Sequence, residues 1–113
     1  MIVMNRFRVE AGDETATQSF RAEVEQAHAV LAARPGYVDG AVGRNLDDPD
    51  LWLLTTWWEN VGSYRRALSA YDVKVAAVPL LSRALDEPSA YELVGESELN
   101  ESRPRRLGGR PPD

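Results

Sequence analysis

Two side chains that could take part in catalysis are the amide of Asn5 and the indole of Trp58. Asn5 lies between Val3 and Phe7 in the alternating stretch MIVMNRFRVE, so its amide shares the apolar face of a predicted strand. A buried amide must find hydrogen-bond partners, which leaves two interpretations: a structural amide, or a donor to a substrate oxygen or oxyanion. Trp58 ends the apolar run LWLLTTWW and is either a core residue or a wall on which a planar substrate stacks.

One histidine, two tyrosines and an arginine complete the set of candidates. His28 is the only histidine, and it lies at the edge of the apolar stripe of a predicted helix. It is therefore either a half-exposed boundary residue, or a base at the rim of a pocket that titrates near neutral pH, or a weak haem ligand. Tyr64 and Tyr71 are seven residues apart with Leu68 between them, so a continuous helix would place their rings together in the core, where one hydroxyl could reach a ligand. Arg65 is either solvated or a partner for a phenolate.

The sequence lacks the residues that several other kinds of catalytic site require. With one histidine, no cysteine and no HExxH spacing, the sequence argues against a catalytic zinc and excludes disulfides and thiolate chemistry. The segment LGGRPP precedes no predicted helix, so it is not a phosphate loop, and there is no GxSxG motif. We therefore predict no metal and no cofactor.

The charge is unevenly distributed. The net charge is −5, but the end of the chain holds four arginines and one aspartate at 103–113, which leaves about −8 on the rest. An acidic body argues against nucleic acid as a partner. No apolar run approaches the roughly 18 residues of a membrane helix, and the N-terminus lacks the pattern of a secretory leader, so we expect no membrane association and a cytoplasmic location. The Arg, Pro and Gly content of 98–113 predicts a disordered tail.

The helices and strands that must position these candidates are predicted from changes in the spacing of apolar residues along the chain. Residues 1–97 are predicted as one domain, with strands that alternate and helices whose apolar residues form a stripe, Phe20, Val24, Ala27 and Leu31 in the first helix. The predicted elements are a strand at 2–10, a helix at 14–34, strands at 37–46 and 51–59, a helix at 61–70, a second helical piece after Asp72 that Pro79 should break, a short helical turn at 80–85 and a strand at 89–97. The order β-α-β-β-α-β predicts an α+β, ferredoxin-like fold: a four-stranded antiparallel sheet with helices on one face.

The apolar residues on both faces of the third predicted strand indicate that a second copy of the chain packs against the sheet. Strand residues alternate between faces, so Trp57 and Trp58 should point to opposite sides of the sheet. Both faces of this strand are apolar, and each indole buries roughly 150–250 Å², worth on the order of 4–6 kcal/mol at about 25 cal/mol per Å². Two helices cover only one face. We therefore expect a homodimer in which the two sheets pack against each other.

Four stretches in this order resemble the antibiotic biosynthesis monooxygenase (ABM) family of dimeric α/β-barrel proteins: IVMNRFRV, RPGYVDG, DPDLWLLTTWWEN and SYRRALSAYDVKVAAVPLL. The resemblance spans about residues 1–97 and implies a pocket between the sheet and the helices. Some members of this family oxidise polyphenolic substrates with dioxygen and without metal or flavin, and others bind and degrade haem. The haem branch typically has an Asn and a Trp where Asn5 and Trp58 stand, but its iron-ligating His would fall near Ala76 or Ala77.

The resemblance, taken with the residue types, implies a cofactor-independent monooxygenase acting on a small planar aromatic ligand. In this interpretation the protein supplies a dry aromatic pocket, a base and donors to a developing oxyanion. The catalytic residues would be Asn5, Trp58, Tyr71 and His28, and the substrate-binding residues Phe7, Tyr64, Leu68 and Arg65. Two alternatives stay open: a non-catalytic small-ligand or scaffold protein of the same fold, and a haem binder.

Overall fold

The computed structural model describes residues 1–95 and has the predicted element order, with the second helical unit divided into three pieces. The tail at 98–113 and the end of the predicted domain lie outside the described residues. The elements are β1 (Ile2–Arg8), α1 (Glu14–Ala32), β2 (Tyr37–Arg44), β3 (Leu51–Trp58), α2 (Val61–Ser69), α3 (Tyr71–Ala76), α4 (Val78–Leu81) and β4 (Ala90–Tyr91).

The strands form one antiparallel sheet in the order β2-β3-β1-β4. This is the ferredoxin-like arrangement that the sequence predicts. In the central pair, Asn5 lies opposite Leu54 and Val3 lies opposite Thr56. This register decides which side chains can meet on the face of the sheet that the helices cover.

The core lies between that face and the helices. The stripe predicted for α1 is confirmed, since all four of its residues are buried. On β3, Trp52, Leu54, Thr56 and Trp58 are buried, and they alternate with residues that are only partly buried or exposed. Fully burying one large apolar side chain is worth about 1.5–3 kcal/mol, so this layer supplies much of the favourable free energy of folding.

Local signals fix the two ends of α1. Asp13 caps its start, because the Asp13 carboxylate accepts a hydrogen bond from the Ala16 backbone N–H at 2.9 Å. Pro35 and Gly36 follow its end. Gly36 has φ of +89°, a conformation that side chains disfavour, and a Cβ at this position would collide with the Ser63 side chain of α2. The turn into β2 therefore needs a glycine for two reasons.

The helix predicted at 61–70 and the second helical piece predicted after Asp72 are separated at Ala70. Ala70 is extended (ψ 144°), so it separates α2 from α3, and Tyr71 begins α3 instead of continuing the face of Tyr64. Tyr71 is 81% exposed, which overturns the expectation that its ring lies in the core. Pro79 lies in the first turn of α4, where its missing N–H costs no helical hydrogen bond.

Two strands are shorter than predicted. β2 ends at Arg44, and β4 contains only Ala90 and Tyr91. Beside β4, the outer edge of β1 is paired with a loop: the Leu85 N–H donates to the Arg6 carbonyl at 2.8 Å, and the Met4 N–H donates to the Ser89 carbonyl at 2.7 Å. The loop satisfies the backbone groups that a longer strand would have satisfied.

The two neighbouring tryptophans do point to opposite faces. Trp58 is 2% exposed beneath the helices, whereas Trp57 is 44% exposed on the other side. Within residues 1–95, no helix covers that other side, which we call the bare face; it carries Met4, Leu53, Trp57 and Tyr91. No helix in this part of the chain is long and apolar enough to cross a bilayer.

Candidate functional site

Four rings form a continuous row on the helix-covered side of the sheet. The His28 and Tyr37 ring centroids are 5.9 Å apart, those of Tyr37 and Trp58 are 5.6 Å apart, and those of Trp58 and Tyr64 are 5.5 Å apart. Tyr37 and Trp58 meet edge to face, at 88° between their planes. We call these four residues the aromatic row. Edge-to-face contacts of this kind add about 0.5–1.5 kcal/mol beyond area burial, so the row also packs favourably.

The fold brings the row together from four elements. His28 lies on α1, Tyr37 is the first residue of β2, Trp58 is the last residue of β3, and Tyr64 lies in the first turn of α2. The turn at Gly36 reverses the chain, so β2 begins beside the helix that precedes it. Trp58 is buried, and the other three members of the row are partly buried.

The polar atoms of the row are paired with each other. The Nε2 atom of His28 and the hydroxyl of Tyr37 are 2.7 Å apart, which is a short hydrogen bond. This pair lies directly over Gly40, where a Cβ would come 2.6 Å from the Tyr37 hydroxyl and 2.9 Å from Nε2. Because real Cβ contacts are not this short, the pair occupies space that only a glycine leaves open.

Trp58 is anchored by a second hydrogen bond. Its indole Nε1–H donates to the hydroxyl of Thr56 at 2.8 Å, and both residues are 2% exposed. Thr56 lies opposite Gly40 in the pairing of β2 with β3. The hydroxyl of Thr56 and the glycine that makes room for the His28–Tyr37 pair are thus cross-strand neighbours.

Both phenols of the row keep their protons at neutral pH. Burial raises the pKa of Tyr37 above its ordinary value, and the nearby carboxylate of Asp39 raises that pKa further. Burial alone raises the pKa of Tyr64. A neutral phenol can both donate and accept a hydrogen bond, so each can contact a substrate oxygen in either protonation state.

The structure does not bring Asn5 beside Trp58. The backbone partner of Trp58 on this side is Met1, whose carbonyl accepts from the Trp58 N–H at 2.9 Å. Asn5 is four residues farther along β1, which is roughly 13 Å at about 3.4 Å per residue. Asn5 is partly buried on the helix-covered face, and its amide makes no hydrogen bond to the residues at 1–95. Within this part of the chain, the amide of Asn5 is therefore available to bind a ligand.

The remaining predicted residues are spread over the molecule. Phe7 is buried far from the row, with its ring 5.2 Å from that of Phe20. Leu68 packs partly buried against the core, and Arg65 is exposed. Tyr71 is outside the row because α3 turns it to solvent.

The sequence argument missed Tyr37 and Thr56. Tyr37 follows the helix-ending pair Pro35–Gly36, and this was the available signal: a residue just after such a turn returns to the last turns of the helix, where His28 lies. Thr56 shares the face of Trp58 by simple alternation, and a hydroxyl there was the only side chain on that face of β3 able to accept the indole N–H.

The iron ligand that haem binding requires is missing from the position where the resemblance places it. Among residues 1–95 there is no group of three or more His, Cys, Asp or Glu side chains placed to hold a metal ion. Ala76 and Ala77 occupy the positions where the haem-binding resemblance required an iron ligand. The single histidine lies instead on α1, bonded to Tyr37.

A groove opens between α1 and the other end of the sheet. It has a volume of about 380 Å³ and is lined by Trp52, Arg44 and residues of α1 that include Arg21 and Glu25. The Arg44 guanidinium lies 5.4 Å from the centre of the Trp52 ring, and the buried Nε1 of Trp52 has no partner among residues 1–95. The groove is separate from the aromatic row, since the two share no residue.

Comparison with known proteins gives a consistent result. The family model for antibiotic biosynthesis monooxygenase matches residues 1–77. The cofactor-independent oxygenase SnoaB from Streptomyces nogalater is similar in structure: 23% identity, a TM-score of 0.63, and coverage of 84% of this chain and 96% of that one. A conserved protein from Methanosarcina mazei is similar at 21% identity and a TM-score of 0.61, over 79% of this chain and 84% of that one. At these identities the structural likeness shows the fold. No protein of curated function matches the sequence.

Proposed function

Because the chain belongs to the antibiotic biosynthesis monooxygenase family, we propose that it oxidises a planar phenolic substrate with dioxygen and without a metal or flavin. The observation that carries the proposal is the aromatic row, in which flat rings lie next to a hydrogen-bonded phenol and imidazole. The likeness to a cofactor-independent oxygenase supports the same reaction class.

In such a reaction the substrate carries the difficult chemistry. An anthrone or hydroquinone loses a proton and becomes an electron-rich anion, which passes one electron to dioxygen. The resulting radical pair combines to a hydroperoxide. For an anthrone, loss of water then turns the CH₂ group into a carbonyl, so that CH₂ and O₂ give C=O and H₂O. The protein must bind the substrate, keep water out and stabilise the anion.

The residues divide these tasks. Tyr37 and Tyr64, which are partly buried on either side of Trp58, would contact a flat substrate, the buried Trp58 would hold these two rings in place, and His28 would supply the proton acceptor of the row. Asn5 would donate to a substrate oxyanion farther along the sheet. The proposal does not use Tyr71, which is exposed, and leaves Arg65, Leu68 and Phe7 as secondary contacts.

The test is oxygen uptake and quinone formation with a panel of anthrones and naphthols. We expect Trp58→Phe and Asn5→Ala each to lower the rate at least tenfold, because the first loosens the rings that contact the substrate and the second removes a donor to its oxyanion. Gln26→Ala removes an exposed amide on α1 and is the matched control. Absence of oxidation across the panel, or an unchanged rate in both folded variants, would refute the proposal.

A second candidate function, binding without catalysis, is favoured by one observation. Asn5 and Trp58 are four strand positions apart, so the two groups do not converge on one reacting atom. A ligand that binds and quenches tryptophan fluorescence with no oxygen uptake would support this candidate over the oxygenase.

We also propose that the bare face pairs with a second copy of the chain. It exposes Met4, Trp57 and Tyr91 by 38%, 44% and 49%, with Leu51 and Leu53 partly buried between them. Stable interfaces bury about 800 Å² per partner, and a four-stranded sheet face offers such an area. Sedimentation at micromolar concentration should give twice 12.6 kDa. Leu53→Glu should give monomers, and Ala29→Glu on the exposed side of α1 should not; a wild-type monomer would refute dimerisation.

A further inference from the structure

Tyr37 is placed to contact a substrate and to hand on a proton, a role that the proposed function leaves open. Its hydroxyl lies over the helix-covered face of β2 at Gly40, and its ring touches that of Trp58. The hydroxyl is 2.7 Å from the Nε2 atom of His28. Because Tyr37 is only partly buried, a substrate oxygen that reaches its hydroxyl would lie one hydrogen bond away from the imidazole.

We propose that Tyr37 is the catalytic residue that takes the proton of a phenolic substrate, and that His28 is the positioning residue that accepts the proton Tyr37 gives up. The substrate O–H bond breaks and its proton forms a new bond to the Tyr37 oxygen. At the same time the Tyr37 O–H bond breaks and that proton moves to Nε2 of His28. The products are a substrate phenolate, a neutral Tyr37 and an imidazolium, so no proton or electron is left over. This inference rests on the proposed function.

Two features of the site fit a relay. First, the Tyr37 hydroxyl and the imidazole lie close together above Gly40, where a Cβ would come within 3.0 Å of both and 2.7 Å from the Thr55 carbonyl oxygen. Second, burial and Asp39 keep Tyr37 protonated, so it always has a proton to pass on. On α1, Glu25 lies one turn before His28 and is paired with Arg21 at 3.3 Å.

The single histidine allows a direct test of the hydrogen bond. With one histidine among 113 residues, ring ¹⁵N resonances of labelled protein belong to His28 alone. We expect a neutral tautomer in which Nδ1 carries the hydrogen and Nε2 accepts from Tyr37. Tyr37→Phe and Gly40→Ala should both shift the His28 resonances, whereas Gly43→Ala, where a Cβ meets nothing within 4 Å, should not. Unchanged His28 resonances in Tyr37→Phe would refute the relay.

The proton transfer itself is tested with 4-nitro-1-naphthol, a planar phenol whose anion is coloured. Bound to the wild type, the probe should ionise at a lower pH than it does in water. Tyr37→Phe should reduce the ionised fraction of bound probe at least tenfold at neutral pH. His28→Gln should do the same, because an amide can hold the Tyr37 hydroxyl but cannot take its proton. Tyr91→Phe, on the bare face, is the matched control and should behave as the wild type.

The outcomes separate this inference from the proposed function. If anthrones are oxidised but Tyr37→Phe keeps the wild-type rate and probe ionisation, the relay is wrong and the oxygenase stands. If nothing is oxidised but probe ionisation still depends on Tyr37 and His28, the relay is supported and the oxygenase is wrong. Restored ionisation in His28→Gln at high pH only would agree with the relay, since solvent base then replaces the imidazole.

Discussion

The hydrogen bond between Trp58 and Thr56 gives the sharpest stability prediction. Thr56→Val replaces the hydroxyl with a methyl group of nearly the same size, so it tests one hydrogen bond with little change in packing. Both residues are 2% exposed, and the 2.8 Å bond is the one partner of the indole N–H among the residues the structure describes. Leaving that N–H unsatisfied costs about 1–3 kcal/mol. The buried methyl returns on the order of 0.8 kcal/mol.

The hydrogen-bond term is the larger of the two, so Thr56→Val should lower the free energy of unfolding by about 1 kcal/mol. For a domain of this size that corresponds to a fall in Tm of roughly 4–8 °C. Urea unfolding followed by tryptophan fluorescence measures the change, and an unchanged slope of free energy against urea would show that the unfolded state is not altered. Thr55→Val, on the opposite face of the same strand, is the matched control for β propensity, because no side-chain hydrogen bond joins Thr55 to residues 1–95.

A double-mutant cycle tests whether the loss of stability in Thr56→Val comes from the unpaired indole N–H of Trp58. In a Trp58→Phe background the N–H is gone, so Thr56→Val should there be neutral or slightly stabilising. The same loss of stability in both backgrounds would refute the argument. So would a loss of stability in Thr56→Val no larger than that in Thr55→Val.

Three further predictions concern single contacts. Gly36→Ala should lower the free energy of unfolding in urea by about 1–3 kcal/mol, because Gly36 has positive φ and a Cβ would strike Ser63; a neutral effect would contradict the turn geometry. Asp13→Ala should cost about 1 kcal/mol by removing the cap of α1, and the loss should be visible as reduced helical circular dichroism near the midpoint. The Arg6 guanidinium binds both oxygens of Glu87 at 2.7 and 2.8 Å and lowers the pKa of Glu87 in the folded state. A pKa lower in the folded than in the unfolded state stabilises the fold above the unfolded value, near 4.5, and this stabilisation is lost as the pH falls through the folded value. Glu87→Gln should therefore show a shallower decline of Tm with falling pH below about 5, and an identical decline would refute the pairing.

The spacing of apolar residues along the sequence predicted the helices and strands whose packing is regular. The stripe of α1 is buried as expected, and the opposite directions of Trp57 and Trp58 on β3 follow from strand geometry as expected. The end of a helix near Ala70 was predicted, but the extended conformation of Ala70 was not, because alanine by itself favours a helix. The length of β4 was decided by a loop whose backbone pairs with β1 before the strand begins.

The site was harder to predict than the fold because the sequence pattern does not fix the register in which the strands pair. Alternation assigns Asn5 and Trp58 to the same face, but shifting one strand by two residues leaves every face assignment intact. The observed register places Leu54 beside Asn5 and Met1 beside Trp58, which separates the two candidates. Tyr37 and His28, nine residues apart, meet because of the turn at Gly36, and a period-based argument does not include turns.

The helix-covered side of β3 differs from one end to the other, and this difference indicates where a ligand with oxygen atoms would be recognised. Around Trp52 the neighbours are the rings of Phe20 and, beyond it, Phe7, and the Trp52 N–H has no partner among residues 1–95. Around Trp58 the neighbours include two hydroxyls and an imidazole, all hydrogen-bonded. Buried polar groups cost free energy unless they are paired, so polar groups collected at one end must be held there by mutual bonds. The end at Trp58 is therefore the preorganised one, and the chemistry proposed for this protein belongs there.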